Sequence, residues 1–344
     1  MFRLIRFCVF EGIMLFVVLF CCFFNELVMY GLAQGKGQVE VVMNARPLDE
    51  VLKDPSFPDS LKQKLRLIQE IKQFATDSLG LKPSQNYTTV YDQHNKAVLW
   101  TITASEPFRM KAREWTFPFL GAVSYKGFFD FKKGKQEADE LAALGYDVDY
   151  GAVSGWSTLG WFKDPILTHM LNQDEGRIAD LIIHELTHST IYLKSSVNYN
   201  ENLANFIGDK GAQRFLTYKY GQGSAQLDDF IRAKTDRKLY NAYILHGATL
   251  LDSLYKSFGK ENVMERESKK MNLIYAIVNG VDSLPLRRRK AFHHYTQEAL
   301  QTKNAFFMSF RRYDSQYDVF EADYEKNYKA DLRLYIQGLV RKSN

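Results

Sequence analysis

The sequence predicts an α+β fold, with a small mixed sheet in the middle of the chain and a C-terminal half that is almost entirely helical. Three observations carry this. Between about residues 87 and 165, short apolar or alternating blocks are separated by turn residues, which is strand patterning. From about residue 177 the apolar residues recur at helical spacing to the end. The composition, 46% hydrophobic and 25% charged over 344 residues, belongs to a folded globular body and excludes a disordered, collagen-like or multi-pass membrane chain. The net charge of +5 is too small to argue for a nucleic-acid partner without a clustered patch. The one dense cluster, Arg287-Arg288-Arg289-Lys290, reads as a solvated loop or helix start.

The elements follow in order. Arg3 and Arg6 precede an apolar run, Phe7 to Phe24, broken only by Glu11 and Gly12. The part from Ile13 to Phe24 has the length of a signal-peptide core, and with Phe7 to Phe10 the run is just long enough to span a bilayer. Basic residues ahead of it hold the N-terminus in the cytoplasm and send the body across the inner membrane. A small-x-small site stands at Gly31-Leu32-Ala33. Residues 1–33 are therefore expected to be a signal or anchor, with the body facing the periplasm, or secreted if the segment is cleaved. All three cysteines, Cys8, Cys21 and Cys22, fall in this stretch. Phe20 before Cys21 does not suit a lipoprotein site. The body has no thiol, so a metal site there must use His, Asp and Glu.

Pro47 to Pro58 reads as a linker. Asp59 or Ser60 can cap a helix to about Ser78, with Leu61, Leu65, Ile68, Ile71 and Phe74 on one side and Gly80 ending it. Tyr87 to Tyr91 and Lys96 to Ala104 read as paired strands around Asp92-Gln93-His94-Asn95. Trp115 to Tyr125 is an aromatic extended stretch, Lys135 to Leu144 a short helix stopped by Gly145, and Tyr146 to Val153 a strand. The expected organisation is an N-terminal segment over 1–33, an α+β part over 34–176, and zinc-binding helices with a helical remainder over 177–344, the last two sharing one catalytic domain.

The strongest chemical signal is His184-Glu185-Leu186-Thr187-His188, inside an apolar-periodic helix from Arg177 to about Leu193. Histidines four apart stand one above the other on a helix, which suits two imidazole nitrogens holding one Zn²⁺. Glu185 can then act as general base toward the water that such an ion activates. Twelve residues separate His188 from Glu201, which opens a second helix, Asn200 to Asp209, with Asn198 as a plausible cap. The short reversal through Lys194 to Val197 lets the two helices lie antiparallel, so Glu201 faces the histidine pair as third ligand. Asn205 or Asp209, one and two turns on, could accept from a histidine N–H. His246, His293 and His294 have no ligand spacing to this motif and read as structural or solvated.

This His/His/Glu arrangement resembles the zinc peptidases of the thermolysin type, and Asn200-Glu201-x-x-Ala204-Asn205 is similar to their Asn-Glu-x-x-small-Asp segment, with Asn205 where those proteins carry aspartate. A wider resemblance is to the bacterial predicted aminopeptidases. It rests on Trp115, Phe117, Pro118, Gly121, Tyr125, Gly127, Phe129 and Asp130, on Ser157-Thr158-Leu159-Gly160-Trp161-Phe162 with Asp164 and Pro165, on the zinc motif, and on Tyr30, Gln34, Gly37 and Gln38 at the start. The resemblance implies a zincin-like metallopeptidase that hydrolyses peptide bonds with a zinc-bound water activated by Glu185, and an aminopeptidase in particular. Tyr313, after Asn304-Ala305, resembles a family position and is the candidate oxyanion donor. A tyrosine at the edge of the core is the alternative. Gly151 to Thr158 is either an edge strand on which a substrate backbone adds or the start of a buried turn packed by Trp156 and Trp161. The rival to catalysis is a zincin-like scaffold that binds peptide or cell-envelope material without turnover.

Overall fold

The computed structural model describes residues 25–117, 121–153, 163–193, 196–310 and 317–343. The architecture is mixed α+β, mostly helical with small sheets. The apolar run before residue 25, most of Gly151 to Thr158, and Tyr313 lie outside the described residues.

The chain opens with helix α1 (Asn25–Met43). Arg46–Pro47 is a short strand, β1, and α2 (Leu48–Lys53) follows at once. The expected linker is therefore a structured element, because Leu48 and Val51 supply a buried face, at 4% and 1% exposure. Helix α3 (Asp59–Phe74) starts as expected but is not capped by Asp59 or Ser60. The N–H groups of Leu61 and Lys62 both donate to the carbonyl of Pro58, at 3.0 Å. Leu65, Ile68 and Ile71 are fully buried along α3, as the periodicity predicts. The helix runs on as a π-helical turn, Ala75–Leu79, and Gly80 ends it at φ +78°, the left-handed conformation that glycine adopts without strain.

The strands do not form the expected hairpin. β2 (Thr89–Tyr91) pairs antiparallel with β1 and parallel with β8 (Ile166–Leu167). β3 (Trp100–Ser105) lies in a different sheet, between β6 (Lys126–Phe128) and β7 (Asp147–Ala152). The turn at His94 and Asn95 exists, with both at positive φ. The Gln93 side chain, however, accepts from the His169 N–H at 3.1 Å and donates to the Lys96 carbonyl at 3.1 Å. That ties the turn to the segment after β8 and sends the two strands to separate sheets. β4 (Trp115–Phe117) pairs antiparallel with β5 (Gly121–Val123). Helix α4 (Phe131–Ala143) begins four residues before the expected start, because the Asp130 carboxylate accepts from the N–H groups of Lys132 and Lys133 and caps it there.

The parallel β2–β8 pair leads directly into the helices that matter most. After β8 the chain makes a 3-10 turn over Thr168–Asn172 and enters α5 (Glu175–Thr190) through Asp174, whose carboxylate accepts from the Arg177 N–H. Helix α6 (Val197–Tyr220) runs back against α5, and α7 (Ala225–Lys256) crosses both. α8 (Val263–Gly280), α9 (His293–Thr302), α10 (Asn304–Phe310), α11 (Tyr317–Tyr328) and α12 (Leu332–Ser343) complete the chain. One apolar cluster joins α2, α3, α5 and α6 to α11 and α12, with Ile182, Ile183, Phe206, Leu332, Tyr335 and Ile336 at 0% exposure. A second cluster joins α7 to α10. The sheet of β3 is tied to that cluster by a buried ion pair, Lys270 Nζ to Asp147 Oδ2 at 2.6 Å. The same oxygen accepts from the Asn304 N–H at 3.0 Å, so the charge is both paired and hydrogen-bonded, as burial requires.

The approach of α6 to α5 depends on two glycines. A Cβ at Gly208 would lie 2.8 Å from the carbonyl oxygen of Asp180, and one at Gly211 would lie 2.8 Å from Cγ2 of Ile183. Gly208→Ala should therefore destabilise the protein by about 1–3 kcal/mol by overpacking, although alanine is the better helix former. Gly31→Ala in α1, where nothing lies within 4 Å, should be neutral or stabilising by up to about 1 kcal/mol. Urea unfolding midpoints of the two variants check the contrast.

Candidate metal centre

Helix α5 carries the motif because its apolar face, Ile178, Ala179, Ile182, Ile183 and Leu186, is buried at 2% exposure or less. The opposite face, with His184 and His188, is left at the surface of the core. The helix is shorter than the sequence suggests. Thr187 and Thr190 donate their hydroxyls back to the carbonyls of Ile183 and Leu186, and Ile191 is already extended. The reversal that follows is clamped by one side chain. Asn200, 3% exposed, accepts from the Leu193 N–H at 2.9 Å and donates to the Leu193 carbonyl at 2.8 Å. This fixes the next residue, Glu201, over the histidines. Helix α6 begins at Val197, so Asn198 falls in its first turn rather than before it.

The three expected ligands meet. Nε2 of His184 lies 3.1 Å from Nε2 of His188, and Glu201 places Oε2 3.6 Å from His184 Nε2 and Oε1 3.5 Å from His188 Nε2. Ligand atoms of a tetrahedral ion bound at about 2.0–2.1 Å stand about 3.3–3.4 Å apart. The observed separations bracket that value, and the donor set of two imidazoles and a carboxylate suits zinc chemistry, so these residues could hold a metal ion. The side chains of His184, His188 and Glu201 are 16%, 21% and 42% exposed, so the centre opens to solvent on one side. Among the described residues no other group of His, Cys, Asp or Glu has this geometry. His246, His293 and His294 are exposed.

The electrostatics follow from burial against charge. Burial disfavours a charged His184, but the hydrogen bond to Glu201 and the carboxylates of Glu185, Glu201 and Asp180 outweigh it and raise its pKa. Burial and the neighbouring His184 lower His188 to about 4, against the pull of Glu201. Glu185 is pushed up to about 7, first by burial, with His184 opposing and Asp164 and Glu201 adding to the rise. A carboxyl group poised near neutrality can both take and return a proton.

The residues around the ligands differ from the expected ones. Asp209 is engaged by the Tyr317 hydroxyl at 2.5 Å and by Gln213 at 3.3 Å, and lies 3.7 Å from Lys234 Nζ. Besides Glu185 and Glu201, the carboxylate whose charge acts on His184 is Asp180, one turn earlier on α5, itself paired with Lys234 at 2.7 Å. The spacing of Asp180 to His184 is the same as that of His184 to His188, so this neighbour was readable from the motif. Asp164, 1% exposed, comes near Glu185 through the turn that joins its carbonyl to the Tyr87 N–H at 2.7 Å. No local pattern announces that contact. Of the stretch expected to form an edge strand, only Gly151 and Ala152 belong to β7, the outer strand of its sheet, which packs against α4, α9 and α10; residues 154–158 lie outside the described residues.

A family model described as Putative aminopeptidase matches residues 29–341. The chain belongs to that family. No match exists among curated proteins or among solved structures. The family match spans both the strand-bearing middle and the helices of the candidate metal centre, so the residues that converge here lie inside the matched range.

Because the ligands must be free of protons to bind metal, His184 governs the pH dependence. Its pKa lies above the ordinary 6.5, so metal has to displace its proton at a higher pH than a free histidine would require. Apparent zinc affinity should fall by about tenfold per pH unit once pH drops below that raised value. Competition with a chromogenic chelator between pH 8 and pH 6 measures this. An affinity that stays flat down to pH 6.5 would contradict the raised pKa of His184.

Proposed function

We propose that this chain is a zinc-dependent peptidase of zincin-like fold, acting as an aminopeptidase, exported across the inner membrane and held there by its N-terminal segment with the body in the periplasm. The observation that carries the reading is the set of three ligand atoms at tetrahedral separations, with Glu185 adjacent in sequence to one of them and poised near neutral pKa. Membership of the putative aminopeptidase family supports a peptidase.

Zinc bound by His184, His188 and Glu201 would supply Lewis-acid polarisation of a substrate carbonyl and would acidify water. The chain's own residues do the rest. Asn200 and the close helix contact hold Glu201 and the two imidazoles in place before substrate arrives. Glu185 accepts the proton of the attacking water and delivers it to the departing amine, which balances the hydrolysis without a covalent intermediate. Burial of Glu185 raises its pKa so that the protonated form is a usable acid near pH 7. The substrate is a peptide, and Tyr313 is retained as the proposed donor to the developing oxyanion.

Glu185→Gln keeps shape and hydrogen bonding but cannot carry the proton. Zinc content should stay near one per chain while peptide hydrolysis falls by about 10²–10⁴. Glu201→Ala removes a ligand, so zinc affinity and hydrolysis should fall together and excess metal should restore part of the activity. Parallel assays on peptides with free and acetylated N-termini test the exopeptidase reading, which requires that blocking the amine abolish cleavage. Zinc retained by wild type and Glu185→Gln alike, with no cleavage of any peptide by either, would favour the non-catalytic scaffold.

A further inference from the structure

Helix α1 is seated in the body over most of its length. The Tyr30 hydroxyl donates to the Gly127 carbonyl at 2.9 Å, and Gln34 Nε2 donates to the same oxygen at 2.9 Å. The Tyr30 ring stacks on Phe117 at 5.4 Å, meets Phe128 edge-on at 5.8 Å, and lies 4.8 Å below Lys126 Nζ. Gly37 lies directly against the Phe129 ring, where a Cβ would come within 2.2 Å. Val41, 3% exposed, packs with Leu167 and Met170. Residues 30, 34, 37 and 41 form one helical face, and burial pushes the Tyr30 hydroxyl up to about 12. The opposite face leaves Met29, Leu32 and Val39 exposed at 54%, 63% and 48%.

This seat conflicts with removal of residues 1–33. Cleavage after Ala33 would cut α1 between Tyr30 and Gln34. It would take away one donor to Gly127 and empty the aromatic recess formed by Phe117, Phe128 and Lys126. Export followed by cleavage would leave a body whose β6 edge is built around a side chain it no longer has.

We propose that α1 is a permanent stalk: the apolar run before it stays attached after export, and the lipid bilayer surface lies against the end of the body at Tyr125. The inference rests on the reading that the run Phe7 to Phe24 enters a membrane, and goes beyond it by fixing how the body stands there. From Asn25 to Tyr30 is about 8 Å of helix. That leaves no flexible spacer between the bilayer and the first docked residue. The side chain presented there suits an interface. Tyr125 is 49% exposed and amphipathic, the type enriched at headgroup level.

The full chain expressed in a bacterial host tests this directly. Intact mass of the membrane-fraction protein should show that residues before Gln34 are present, and alkaline carbonate should not release it. A mature chain beginning at Gln34 overturns the proposal, and so does a full-length chain that carbonate washes off. The catalytic reading is scored separately, by zinc content and hydrolysis in detergent, and its failure leaves these outcomes unchanged. The seat has its own readout. Tyr30→Ala should lower the thermal midpoint of the detergent-solubilised full chain by about 2–6 °C, and Met29→Ala, on the solvent face, should not. Equal midpoints for wild type and Tyr30→Ala would show that the seat bears no load and would overturn the stalk.

Discussion

The close contact between α5 and α6 is the constraint on which the candidate metal centre depends. Two imidazoles on one helix are placed by helical geometry alone, but the third ligand comes from the other helix and has to arrive within a few tenths of an ångström. Glycine at 208 lets the α6 backbone approach the Asp180 carbonyl more closely than a Cβ would tolerate, and glycine at 211 makes room for the Ile183 side chain. The Asn200 side chain, bonded twice to Leu193, sets the start of α6 along its axis. Spacing and register are thus fixed by different residues, and Glu201 needs both.

The rest of the fold buttresses this pair. α5 is gripped on its apolar side by a cluster that includes α3 and α12, and α7 reaches the polar side through Lys234, which pairs with Asp180 and approaches Asp209. A cation between two largely buried carboxylates balances charge that would otherwise oppose burial. Two residues further along α7, Asp236, 1% exposed, accepts from the N–H groups of Arg287 and Arg288. The basic cluster is therefore a pinned, exposed segment, in keeping with its solvated reading, and its backbone is held from the same helix that packs against the candidate metal centre.

Much of the candidate site was legible because helix geometry is local. The positions of His184, His188 and Glu201, the antiparallel helix pair and the buried face of α3 all follow from spacing at 3.6 residues per turn. What was not legible depends on partners distant in sequence. The turn at His94 and Asn95 looks like a hairpin, yet Gln93 is committed to His169, more than seventy residues away, and the strands diverge. Asp209 has the spacing of a histidine partner, but Tyr317 and Gln213 engage it instead. The capping of α4 by Asp130 and the burial of Leu48 and Val51 were within reach of the sequence. Aspartate ahead of a helix and a two-residue apolar face are weak signals that acquire meaning only with their neighbours.

The apolar cluster behind α5 draws on residues from Leu48 to Leu339, and this bears on timing. During synthesis the motif helix leaves the ribosome with more than half of the chain already made, but the surfaces that immobilise it include α11 and α12, which are the last to appear. Until Tyr335 and Ile336 take their places, α5 and α6 lack the wall against which Phe206 packs. Alignment of the three candidate ligands is accordingly expected only after chain completion. A nascent or truncated polypeptide would present His184, His188 and Glu201 without the rigidity to align them.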